Sequence, residues 1–146
     1  MKNMSVALRG IVAVLASAGA LAPANAADDV RETVVPAFEY PIANAPGKKV
    51  TALLVSYAAA AKTPAHRHGR SFVVGYVLEG SIRSQLDNGE VKVYNAGESW
   101  SEKPGARHTV SENASATAPA KILAVFVSDA KAKDLFTLEA ARGQKK

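Results

Sequence analysis

Between residues 50 and 128 turn-forming residues divide the chain at short, nearly regular intervals, and this spacing constrains the fold more than any other feature. Pro46-Gly47, Thr63-Pro64, Gly80, Asp87-Asn88-Gly89, Asn95-Ala96-Gly97 and Pro104-Gly105 supply the punctuation. Between them lie runs rich in β-branched and apolar residues: 50–57 (VTALLVSY), 72–78 (FVVGYVL), 81–86 (SIRSQL), 91–94, 99–102, 108–111 and 122–128. Such runs are too short for stable helices, and the alternation in 81–86 has the two-residue period of a strand, with Ile82, Ser84 and Leu86 on one face. Asn and Gly tolerate the positive φ of tight hairpins, so Asp87-Asn88-Gly89 is read as one. Only the alanines at 58–61 are ambiguous with helix. Many short strands at a spacing of roughly 8–12 residues predict an all-β sandwich or barrel, and closing the sheet removes bare edges and encloses a cavity.

The flanks read differently. Residues 27–49 carry Pro36, Pro41 and Pro46 and are expected to be an irregular lead-in or edge strand before a barrel at 50–128. Residues 129–146 form a charged, Lys/Ala/Arg-rich tail that reads as a solvated, partly frayed end. At the other terminus, Lys2 and Arg9 precede an uncharged apolar core at 11–21 and the small-x-small triplet Ala24-Asn25-Ala26. That is the pattern of a signal peptide cleaved near Ala26, which predicts a periplasmic or secreted protein. The apolar core falls short of the about 20 residues a membrane span needs, so no stable anchor is expected after processing.

Charge and cysteine content narrow the function. Lys2 and Arg9 leave with the signal and take two of the formal +5 charges with them. No basic block with interleaved aromatics remains, so a nucleic-acid partner is not expected. The chain has no cysteine. An exported protein of this kind is held by packing rather than disulfides, and any metal must be bound by His, carboxylate or water.

The chain has three histidines. His66 and His68 are separated by one residue, so on a strand both imidazoles point into the same space. His108 begins a later strand just after Pro104-Gly105, and an antiparallel barrel can bring that strand beside the first. Three convergent neutral imidazoles suit one divalent transition metal, whether Fe, Mn, Ni, Zn, Co or Cu, and leave positions open for substrate. Surface histidines on a basic turn (HRHGR, 66–70) are the alternative reading. Trp100 and Glu102 share one strand face. If that face is inward, Glu102 becomes a candidate catalytic carboxylate, as fourth ligand or general base; if it is outward, Glu102 is a solvated strand end. Tyr76, Ser84 and Trp100 are candidates for lining a substrate pocket, with Tyr57, Arg83 and Gln85 as further polar residues on the strands. Gly75, inside a strand, marks a bulge or a close approach.

With these residues in view the chain resembles the cupin superfamily, in particular its small single-domain members and the quercetin-dioxygenase-like group. The first cupin motif, G-x5-H-x-H-x3–4-E-x6-G, is matched by Pro64-Ala65-His66-Arg67-His68 and by Gly80 within Tyr76-Val77-Leu78-Glu79-Gly80. The second, G-x5-P-x-G-x2-H-x3-N, is matched by Gly97, Pro104-Gly105, His108 and Asn113. The first-motif glutamate would fall at Phe72 or Val73, and neither is acidic; the second motif carries one extra residue before Pro104 and one after His108. The resemblance implies a conserved-barrel, jelly-roll-like β-fold, a three-histidine metal centre, a small-molecule ligand, and homodimers paired through the outer face of one sheet, with residues 30–46 as a candidate exchanged strand. Cupins include oxygenases, isomerases, lyases and non-enzymatic binders. The expectation is a metal-dependent, dioxygenase-like enzyme acting on a small organic substrate. The alternatives are a barrel that binds a small molecule or metal without turnover, and a structural protein.

Overall fold

The computed structural model describes residues 32–139, so the signal sequence expected at 1–26 lies outside the described residues. Every regular element within them is a strand. In chain order these are β1 (Glu32–Pro41), β2 (Lys48–Tyr57), β3 (Lys62–Thr63), β4 (His66–Arg67), β5 (Phe72–Glu79), β6 (Ser81–Leu86), β7 (Lys92–Asn95), β8 (Ser99–Glu102), β9 (Arg107–Asn113), β10 (Ala120–Asp129) and β11 (Thr137–Leu138). The all-β reading is correct, and the four alanines after Tyr57 form a turn rather than helix, with Ala60 at φ 60°.

Two antiparallel sheets result. One runs β1-β2-β10-β5-β8 and the other β11-β4-β9-β6-β7, with β3 also paired to β9. The long strand β10 shows how the sequence directs this: Ala120, Ile122, Ala124, Phe126 and Ser128 are buried while the residues between them are not. The same alternation buries Val73, Gly75 and Val77 on β5, Ile82 and Ser84 on β6, and Trp100 and Glu102 on β8. The two inner faces pack against each other as a jelly-roll-like barrel, and burying their apolar side chains supplies the main driving force. The lead-in contributes β1, an edge strand along β2 with a register shift between Pro36 and Phe38.

Two glycines fix the packing. Gly80 turns the chain from β5 in one sheet to β6 in the other at φ +70°, and an added Cβ would stand 2.6 Å from the Pro119 carbonyl oxygen. Gly75 sits in continuous register between Ala124 and Trp100, so it marks no bulge. It marks the close approach of a ring: a Cβ there would lie 2.4 Å from Trp100 Cζ2. Gly75→Ala is therefore expected to cost about 2–3 kcal/mol, because the buried indole must shift to admit one methyl group. Urea denaturation of the two chains checks this, and a loss below about 0.5 kcal/mol would mean that the ring is free to move.

Candidate metal centre

The antiparallel pairing of β4 with β9 sets His66 opposite His108. His68 follows as the chain leaves β4 and turns at Gly69, φ +56°. A ligand atom from each of the three imidazoles lies within 4.8 Å of the others. From the opposite sheet β8 sends in Trp100 and Glu102 on its inner face, with Ser99 and Ser101 exposed. Glu102 is only 2% exposed. Its Oε1 lies 3.3 Å from His108 Nδ1 and its Oε2 lies 3.5 Å from His68 Nε2.

Each imidazole is oriented by a partner at its other nitrogen. His66 Nδ1 lies 2.7 Å from the Pro64 carbonyl oxygen, and His68 Nδ1 lies 3.1 Å from that of Leu135. His108 Nε2 lies 2.9 Å from Ser84 Oγ. With those nitrogens engaged, His66 Nε2, His68 Nε2 and His108 Nδ1 remain for a ligand. This is the outer-shell support that metal-binding histidines use to fix tautomer and ring angle. An aromatic ring packs against each imidazole as well: Phe136 on His66, Phe126 on His68 and Trp100 on His108, with centroids 6.1, 5.1 and 6.0 Å apart.

The electrostatics agree with a cation site. Burial, partly opposed by the Pro64 carbonyl, pushes His66 down to about 4. Burial also lowers His68, with Glu102 working against it. Both rings are thus neutral bases near pH 7, the form that binds metal. Burial alone would raise Glu102, but hydrogen bonding and charge from His108, with help from His68 and Trp100, leave its carboxyl below the usual range. Trp100 Nε1 donates to Glu102 Oε1 at 3.1 Å, whereas Glu102 Oε2 is buried with no hydrogen-bond partner. A buried carboxylate oxygen without a partner is costly, and a cation among the three imidazoles would satisfy it. The three imidazole nitrogens fit one divalent transition metal.

The site opens on a cavity of about 130 Å³ walled by Leu53, Val55, Val73, Ile122, Ala124, Phe126 and Phe136. Trp100 also lines it. Tyr76 does not: it is 42% exposed, because β5 turns Val73, Gly75 and Val77 inward and the next residue must face out. Ser84 is buried behind His108, outside the cavity lining, where it holds the imidazole rather than a substrate. Of the other polar residues, Tyr57 lines the cavity, while Arg83 pairs with Glu112 and Gln85 donates to the Gly89 carbonyl.

The described part of the charged tail, up to residue 139, departs from its expected frayed form, and residues 140–146 lie outside the described residues. Residues 135–139 return over the site. Leu135 supplies the carbonyl that holds His68, Phe136 closes the cavity beside His66, and β11 pairs with β4. The Glu139 carboxylate then accepts from Arg107 Nε at 2.8 Å and lies 3.4 Å from Arg67 Nε. The only sequence signal is the large apolar cluster Leu135, Phe136 and Leu138 in a charged segment. Removing residues 135–146 is expected to lower metal affinity about 10–100-fold, since His68 loses its carbonyl partner. Titration against a chromophoric chelator measures this, and unchanged affinity would make the strap irrelevant to the metal.

Residues 53–126 match the family model of the cupin domain. Among solved structures, an uncharacterized conserved double-stranded β-helix protein from Klebsiella pneumoniae shares 18% identity at a TM-score of 0.59, over 77% of this chain and 88% of that one. Oxalate oxidase shares 21% at a TM-score of 0.58, over 75% of this chain and 56% of that one. The DMSP lyase DddQ from Ruegeria pomeroyi shares 17% at a TM-score of 0.55, over 65% of this chain and 45% of that one. The chain thus spans about half the length of either enzyme, and at these identities the likeness is one of fold. No curated sequence matches the chain.

Proposed function

The chain belongs to the cupin family, and on that premise we propose that it is an exported, metal-dependent enzyme acting on a small organic substrate held beside His66, His68 and His108. The observation that carries this reading is the buried Glu102 Oε2, unpartnered among three outer-shell-supported imidazoles at the edge of an apolar cavity. A structural role gives no reason to keep such an oxygen away from water; a cation does. Export rests on the pattern at residues 1–26.

His66, His68 and His108 would hold the ion, with Glu102 as the fourth donor. A divalent metal there would supply Lewis acidity or, if redox-active, electron transfer to dioxygen. The protein's own contribution is shape and exclusion. A cavity of about 130 Å³ is close to the roughly 150 Å³ that accepts benzene in an engineered apolar pocket, so the substrate is about the size of one ring. Apolar walls shed the water around the reacting groups and strengthen every charge interaction there. Dioxygen-dependent oxidation is the reaction this arrangement fits best, since Glu102 is taken up as a ligand and the cavity's other carboxylate among the described residues, Glu32, is engaged by Thr63. The distant enzymes of the same fold act, by name, on small molecules: oxalate in one case, DMSP in the other.

The test is oxygen consumption by the iron-, manganese-, nickel- or copper-loaded chain against a panel of one-ring phenols, enols and short-chain acids. Metal-dependent uptake with at least one of them supports the reading. Saturable binding without turnover under every metal would make the chain a non-enzymatic binder.

A further inference from the structure

A second polar group lines the cavity, away from the metal ligands. Ser111, Tyr57, Thr63 and Glu32 all face it, brought from β9, β2, β3 and β1. Ser111 is inward because of a β-bulge: Gln85 pairs with Val110 and Leu86 with His108, so Thr109 is an extra residue and the alternation along β9 changes parity. His108 and Ser111 therefore share a face that strict alternation denies them.

These four residues form a chain of hydrogen bonds. Thr63 Oγ1 donates to the Glu32 carboxylate. Tyr57 Oη lies 2.8 Å from Thr63 Oγ1, and Ser111 Oγ lies 3.0 Å from Tyr57 Oη. A hydroxyl has one proton. Thr63 has spent its own on Glu32, so Tyr57 must donate to Thr63. Tyr57 has then spent its proton, so Ser111 must donate to Tyr57. Ser111 has no proton left for the cavity and presents only lone pairs. The direction of the whole chain is set by the carboxylate at its far end. Burial reinforces it by pushing Tyr57 up to about 12, which keeps the phenol protonated as a donor.

We propose that Ser111, held as an acceptor by the one-way chain Ser111–Tyr57–Thr63–Glu32, selects small ligands that carry a hydroxyl or N–H donor. The proposal rests on the cavity being the substrate site and narrows the substrate class to ring-sized molecules with such a donor, phenols and enols foremost. A ligand that can only accept would set lone pairs against lone pairs in a buried site, where an unmade hydrogen bond is costly.

The matched probes are phenol and toluene, alike in shape but differing in the donor, with benzonitrile as a probe that only accepts. Binding is measured calorimetrically on the full-length protein, zinc-loaded and metal-free, with thermal melts to confirm folding of each variant. In the native protein phenol is expected to bind roughly tenfold tighter than toluene. Ser111→Ala should abolish that ratio. Tyr57→Phe frees the Ser111 proton, so it should strengthen benzonitrile several-fold. Either variant alone carries the test. An unchanged phenol-to-toluene ratio in Ser111→Ala overturns the proposal, as does failure of both probes to bind. Failure of the metal reading is separable: the chain would then take up no zinc, while the Ser111-dependent ratio would still be read in the metal-free protein.

Discussion

Residues 27–146, purified from an exporting host, are expected to hold about one equivalent of a single divalent metal, and the His66→Ala/His108→Ala chain essentially none. These two residues face each other across the β4–β9 ladder, so the double substitution removes both nitrogens that come from paired strands and leaves only His68 and Glu102. Two donors on opposite sheets cannot enclose an ion. The expected loss of affinity exceeds the 10–100-fold typical of losing an outer-shell partner. Neither side chain fills the centre of the apolar core, which runs through Val73, Val77 and Ile82, so the variant should retain its strand content. Elemental analysis together with circular dichroism makes the measurement. A native chain that stays metal-free after reconstitution would remove the ground for a metalloenzyme.

The centre was legible in the sequence because its three imidazoles obey simple rules: two on one strand face, one after a Pro-Gly turn, and no other histidine in the chain. Trp100 and Glu102 followed from period two once their face was known to be inward. Tyr76 failed for the corresponding reason. The run FVVGYVL is apolar at both parities, so alternation alone gives no preferred face; the decision comes from Trp100, whose ring needs the space that only Gly75 leaves.

Other parts carry no sequence signature. The groups orienting His66 and His68 are main-chain carbonyls of Pro64 and Leu135, and a carbonyl belongs to every residue alike. Ser111 is hidden by a bulge, since one extra residue reverses the parity on which any face assignment depends. The tail reads as solvated because Lys and Ala dominate its composition, yet Leu135, Phe136 and Glu139 are enough to dock it. Local patterns indicate which residues are inward on an undisturbed strand. Contacts made through the backbone or across a bulge depend on the assembled fold.

Glu102→Gln is expected to lower metal affinity about 100-fold while leaving the stability of the metal-free protein within about 1 kcal/mol. The amide keeps the shape of the carboxylate and can still accept from Trp100 Nε1, the one hydrogen bond donated to Oε1 by another side chain of β8. In the metal-free state at pH 8 burial leaves His66 and His68 neutral, so His108 is the one imidazole whose interaction with the carboxylate the substitution weakens. Loaded with a divalent ion the balance changes: three neutral imidazoles neutralise none of the cation's charge, and Glu102 is the nearest anion to both His68 and His108. Chelator competition, with the visible spectrum of the cobalt-loaded chain as a second readout, separates the two roles open to this residue. A ligand shows itself by weaker binding and a shifted cobalt spectrum. Unchanged affinity and spectrum, with turnover slowed by 10²–10⁴, would instead make Glu102 the group that moves a proton. The unpartnered Oε2, 3.5 Å from His68 Nε2, favours the first outcome.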